Sequence, residues 1–176
     1  ITAYFNVEKH GIYRKIPLRN TVIRNDGSET TNRAKISNIS VSEKYTTNIK
    51  DGYKVIKIGD ANSIYTGSHS YTIKYRYKIG KDPLKNADEL YFNLIGTQWD
   101  TNINNVSFKI TMPKSFDKSL LGFTRGSYGS TDNDGVNYSV NGNVITGNVE
   151  NELESGEGVT VRLTLPEGYF SKASDN

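Results

Sequence analysis

The sequence predicts an all-β fold: a single-domain, mainly antiparallel β-sandwich of about a dozen short strands. Three observations lead there. In Tyr71–Ile79, read Tyr-Thr-Ile-Lys-Tyr-Arg-Tyr-Lys-Ile, the residues Tyr71, Ile73, Tyr75, Tyr77 and Ile79 share one parity, and Thr72, Lys74, Arg76 and Lys78 the other. Successive strand side chains point to opposite faces, so this is a strand with an apolar inner face and a cationic, wet outer one. A solvated face favours an antiparallel sheet, since parallel sheets are usually covered on both sides. Composition is the second observation: only 35% of residues are hydrophobic, but 12 Tyr, 6 Phe and 1 Trp supply large rings whose polar tips can sit at the edge of a thin core. Third, no stretch of eleven residues shows a 3.6-residue period, while turn residues recur at roughly ten-residue intervals.

The strands follow in order. Alternation or β-branched runs place them at Thr2–Val7, Ile12–Leu18, Thr21–Arg24, Lys35–Glu43, Tyr53–Ile58 and Tyr71–Ile79. The second half adds Leu90–Ile95, Ile103–Met112, Gly122–Arg125, Val136–Val140, Val144–Val149 and Val159–Leu165. Asp26-Gly27, Asp51-Gly52, Gly59-Asp60 and Asp134-Gly135 punctuate them. Asn141-Gly142 has the pair a type I′ turn needs at its centre, so Val140 and Asn143 are expected to flank a hairpin. Pro113 and Pro166 lack the ladder N–H and should end the strands before them. Ser42–Ile49 and Ser115–Leu121 are read as single helical turns. A break after Met112 would leave too short a piece for an independent core, so residues 1–166 are expected to form one domain and residues 167–176 a linker toward a membrane segment.

The net charge of +3 is spread along the chain with no basic block, which argues against a nucleic-acid partner. The absence of Cys excludes disulfides, thiolate catalysis and Cys-based zinc sites. No apolar run exceeds four residues, Leu120–Phe123 with Gly122 counted, so nothing here spans a membrane as a helix. No cofactor or metal is expected.

Two segments read as motifs, His10-Gly-Ile-Tyr-Arg-Lys-Ile-Pro-Leu-Arg19 and Asp88-Glu-Leu-Tyr-Phe-Asn-Leu-Ile-Gly-Thr-Gln-Trp-Asp100. With Gly59-Asp60, Gly67–Tyr75 and Gly156–Leu165 before Pro166-Glu-Gly168, they resemble a family of predicted bacterial membrane proteins of unknown function (YciQ-like). The resemblance covers most of the chain in order and spacing, with Phe92 where the family often has Trp. It implies an ectodomain on the extracytoplasmic face of the bacterial cell membrane, anchored through segments outside this sequence. It implies no activity.

Candidate sites are few. Ser68-His69-Ser70 could offer a nucleophile and base, but neighbours on a strand point to opposite faces, and a loop entering the Tyr71 strand is the preferred reading. Asp88, Glu89 and Asp100 could supply a glycosidase's paired carboxylates, the alternative being a solvated strand mouth. Arg14 shares a face with Ile12 and Ile16, which favours a half-buried salt bridge to Asp88 or Glu89 over anion binding. Tyr13, Gly96, Arg14, Asp88 and Glu89 are thus assigned to structure. Trp99 between Gln98 and Asp100 could stack on a sugar whose hydroxyls those neighbours bond, or else pack in the core. Thr131–Gly135 has the look of a calcium loop without its final acid, and reads better as a turn. Lys74, Arg76 and Lys78 form a basic face that serves solubility or binding. The expected role is therefore non-enzymatic: recognition of a cell-wall glycan or an envelope protein, or a spacer and sensor. The alternatives are an envelope glycan hydrolase and a docking domain for a membrane partner.

Overall fold

The computed structural model describes residues 1–24, 26–80 and 84–170. Their packing separates two compact units, residues 1–80 and 84–170, each with its own core. The division falls before Leu84. The fold is all-β, and all the strand pairings are antiparallel.

The first unit contains β1 (Thr2–Lys9), β2 (Ile12–Pro17), β3 (Arg19–Ile23), β4 (Glu29–Val41), β5 (Tyr45–Lys50), β6 (Tyr53–Ile58), β7 (Tyr65–Ser70) and β8 (Ile73–Ile79). They pair as β1-β7, β2-β6-β5 and β3-β4-β8. The alternation that defines β8 is observed, with Ile73, Tyr75, Tyr77 and Ile79 half-buried and Lys74, Arg76 and Lys78 exposed. Tyr71 lies ahead of β8 rather than in it, buried beside Ile16, Ile56 and Ile58 in the unit's core. Fully burying such an aliphatic side chain stabilises a fold by about 1.5–3 kcal/mol, and Ile56 is completely covered. Two segments read otherwise from sequence are strands: the helical turn expected over Ser42–Ile49 is largely β5, and the loop expected at Ser68-His69-Ser70 is the end of β7.

The motif glycines Gly11 and Gly59 close the β2–β6 pair. Ile12 is opposite Ile58, and both glycines have positive φ, +134° and +126°. A Cβ on Gly11 would lie 1.9 Å from the Ile58 carbonyl oxygen, and one on Gly59 1.9 Å from that of His10. Only glycine fits where two backbones approach so closely.

The second unit contains β9 (Ala87–Ile95), β10 (Ser107–Thr111), a 3-10 turn (Lys118–Leu120), β11 (Leu121–Gly126), β12 (Val136–Asn141), β13 (Val144–Val149) and β14 (Gly158–Pro166). The sheets are β10-β13-β12 and β11-β14-β9, and their inner residues, among them Ile145, Phe123 and Leu163, meet in one core. Asn141 pairs with Val144, so the turn between β12 and β13 is centred on Gly142-Asn143, one residue later than Asn141-Gly142. Gly142 at φ +59° suits the first central position of a type II′ turn. Asn143 is held by its neighbour strand: its carbonyl accepts from the Met112 N–H at 2.9 Å and its side-chain amide donates to the Met112 carbonyl. Ile103 stands outside β10, in an isolated bridge with Leu153. Of the stretch read as a linker, residues 167–170 pack against the unit, with Tyr169 buried and its hydroxyl donating to the Lys114 carbonyl. Residues 171–176 lie outside the described residues.

Candidate functional site

The register of β11, β14 and β9 brings three connections to one end of their sheet. Gly126 is opposite Gly158, and Val159 opposite Ile95, so the chain leaving β9, the chain leaving β11 and the chain entering β14 start side by side. Gly158 leaves no room for a side chain there: a Cβ would meet the Ile95 oxygen at 2.5 Å. Two of these connections are bonded to each other. The Gly156 N–H donates to the Trp99 carbonyl at 2.9 Å, the Asn102 amide donates to Glu152 at 3.0 Å, and the Ser155 N–H donates to the Asn102 oxygen at 3.2 Å. Ile103 and Leu153 exchange backbone bonds of 2.9 Å. Arg125 fastens the third connection to the same place, donating its N–H to the Asp132 carbonyl at 2.7 Å and its guanidinium to the carbonyls of Glu150 and Glu152 at 2.8 and 3.0 Å.

Trp99 is therefore fixed by its backbone at a braced loop end, half-buried, with Gln98 and Asp100 exposed on either side. Tyr128 follows β11 at this end and is 81% exposed. Tyr138 is on β12, half-exposed, its ring 4.8 Å from that of Phe123. An indole, an amide and a carboxylate in succession are the residue types that stack on a sugar ring and bond its hydroxyls. Asp132 and Asp134 form a Gly-closed turn in which Asp132 accepts from the Asp134 N–H at 3.0 Å, the bland reading of the Thr131–Gly135 segment.

The carboxylates proposed for hydrolysis do not converge. Asp88 and Glu89 open β9, whereas Asp100 follows its far end, and the seven steps along the strand from Asp88 to Ile95 span about 23 Å of extended chain. Glycosidase carboxyls stand about 5–10 Å apart. Asp88 is buried, its carboxylate accepting the Phe170 N–H at 2.7 Å. Arg14 is buried between Ile12 and Ile16 as the alternation predicts, its guanidinium donating to the Lys15 carbonyl at 3.0 Å. Tyr13 is exposed on the outer face of β2, and Gly96 is buried just past β9.

His69 turns inward on β7, while Ser68 and Ser70 turn outward, and the Ser70 hydroxyl sits 2.9 Å from that of Thr2. The imidazole lies between two phenols, with ring centroids 4.4 Å from Tyr65 and 4.8 Å from Tyr71, and its Nε2 is 3.4 Å from Glu43. Burial, then the nearby Tyr65 and Glu43, push the Tyr71 hydroxyl above its usual pKa. Nothing local in the sequence joins Glu43 to His69; the fold does.

Charge is segregated between the units. Residues 1–80 carry 14 Lys and Arg against 6 Asp and Glu, net +8; residues 84–170 carry 6 against 11, net −5. In the first unit, Lys74, Arg76 and Lys78 on β8 share their face with Arg33 and Lys35 on β4 and Arg19 on β3, all exposed. Arg33 and Arg19 escaped the sequence-predicted strands because these began at Lys35 and Thr21; β4 extends back to Glu29 and β3 to Arg19, and the same parity then joins both to Lys35.

Together these features define an all-β module of two compact units. The family model for the N-terminal domain of the predicted membrane protein DUF2207 matches residues 1–165, and the chain belongs to that family. No curated protein and no solved structure matches it. Among the described residues, no helix is long and apolar enough to cross a membrane.

Proposed function

We propose that this chain is a non-enzymatic recognition module on the extracytoplasmic side of its membrane protein, and that it binds a wall glycan at the loop end carrying Gln98, Trp99 and Asp100. The observation behind this reading is the loop-to-loop bracing that fixes the Trp99 backbone between two exposed polar neighbours. Preorganised contacts of this kind lower the ordering cost of binding. The net charge of −5 in this unit disfavours a phosphodiester polymer and favours neutral or N-acetylated sugars.

Co-sedimentation with isolated cell-wall sacculi over a salt series tests it. Retention should persist at about 0.5 M salt, where the Debye length is only a few Å. Trp99→Ala should weaken it about tenfold, the loss of one stacked ring and its buried area. Retention that disappears with salt, or that is indifferent to Trp99→Ala, would contradict the proposal.

A further inference from the structure

The outer face of the β3-β4-β8 sheet has an arrangement that folding alone does not favour. Arg19 is directly opposite Arg33, and Lys35 directly opposite Lys78, while Arg76 faces Ser37 and Lys74 faces Ser40. Like charges at opposed positions of an antiparallel pair repel and weaken the sheet. The outer positions of the three strands include one acid, Glu29, paired with Ile23 at one end. The inner positions, by contrast, bear the expected apolar set, with Ile36, Ile39, Tyr75 and Tyr77 against the core. Solubility would be served equally by alternating signs, which would also spare the sheet this repulsion.

We infer that this face docks on the surface of an anionic phospholipid bilayer. The six cations occupy a patch about 13 Å long on β8 and about 10 Å across three strands, the geometry of a twisted but open sheet surface. It has no aromatic residue on the outer positions to stack on a sugar or a base, so its chemistry is that of charge alone. A layer of phosphate headgroups presents many anions in one surface, and each Lys or Arg near it adds to the attraction. Membership of a membrane-protein family tethers the domain beside such a surface. The second unit, net −5, would be repelled by the same headgroups. The inference is independent of the glycan reading, since it uses a different unit and different residues.

Sedimentation with vesicles separates the outcomes. One set is equimolar phosphatidylglycerol and phosphatidylcholine, the other phosphatidylcholine alone, both at about 0.1 M salt, where the Debye length is near 10 Å. The chain should bind the first and not the second. The exposed triple substitution Lys35→Glu, Arg76→Glu and Lys78→Glu should weaken binding at least about tenfold. A control with the same charge change on the β2-β6-β5 sheet, Lys15→Glu, Lys50→Glu and Lys57→Glu, should weaken it much less. Equal losses in the two triples would reduce the effect to net charge and overturn the assignment of the face. No binding to the anionic vesicles, or binding to soluble polyphosphate that exceeds it, would overturn the bilayer as the partner.

Discussion

Tyr77 reaches from the inner face of β8 to the carbonyl of Pro17 on β2, donating a 3.0 Å hydrogen bond. Burial, with Tyr75 nearby, pushes its pKa up to about 12 from the ordinary 10. A raised folded-state pKa means that the contribution is complete below about pH 10 and lost as pH rises through 12. Tyr77→Phe should cost about 1 kcal/mol near neutral pH and remove one tyrosine from those ionising above pH 11, read by absorbance at 295 nm. An unchanged titration would refute the assignment. Asp88, proposed from sequence as acid catalyst or structural partner, holds the Phe170 N–H. Asp88→Ala should therefore lower unfolding free energy by about 1–3 kcal/mol, the range for a stranded buried donor, with sacculus retention intact. A loss of retention without a loss of stability would reverse that role. Sequence placed Arg14 inward correctly because Ile12 and Ile16 share its parity. It had no means of finding the Phe170–Asp88 bond, which joins residues 82 apart.

At the level of strands, legibility followed burial. β8 and β14 were readable because their alternation mirrors a buried inner face. β5 was not: five of its six residues are exposed, so it is a strand only because β6 pairs with it. β7 was hidden because its inner positions are Tyr65, Gly67 and His69, which give no aliphatic rhythm. The Asn141-Gly142 turn was displaced by one residue because Met112 bonds Asn143, a tertiary tie that local turn chemistry does not include. The close approach of Gly11 to Ile58 gives a direct test. Gly11→Ala places a methyl 1.9 Å from a carbonyl oxygen, whereas Gly52→Ala, also at positive φ, meets nothing within 4 Å. Gly11→Ala should cost at least about 2 kcal/mol, clearly more than Gly52→Ala, in urea unfolding. Equal losses would show that positive φ, not the backbone contact, is what matters there.

For the whole molecule, the modest net charge of +3 conceals a division into +8 and −5 that only the boundary between the units reveals. Composition and periodicity disclosed the all-β class, and the motifs disclosed the family. The candidate site was legible as a set of residue types, Gln98-Trp99-Asp100, but its bracing by residues 150–157 was not, because those residues are some fifty positions away in sequence. The two proposals fall on surfaces of opposite character: a loop end in the acidic unit, proposed for sugars, and a cationic sheet face in the basic unit, proposed for headgroups. The most direct measurement of that division is a crossed co-sedimentation, in which the Trp99→Ala chain and the Lys35→Glu, Arg76→Glu, Lys78→Glu chain are each tested against sacculi and against phosphatidylglycerol vesicles. Trp99→Ala should lose sacculi and keep vesicles, and the charge-reversed chain should do the opposite; a variant that loses both, or neither, would contradict the division of roles between the units.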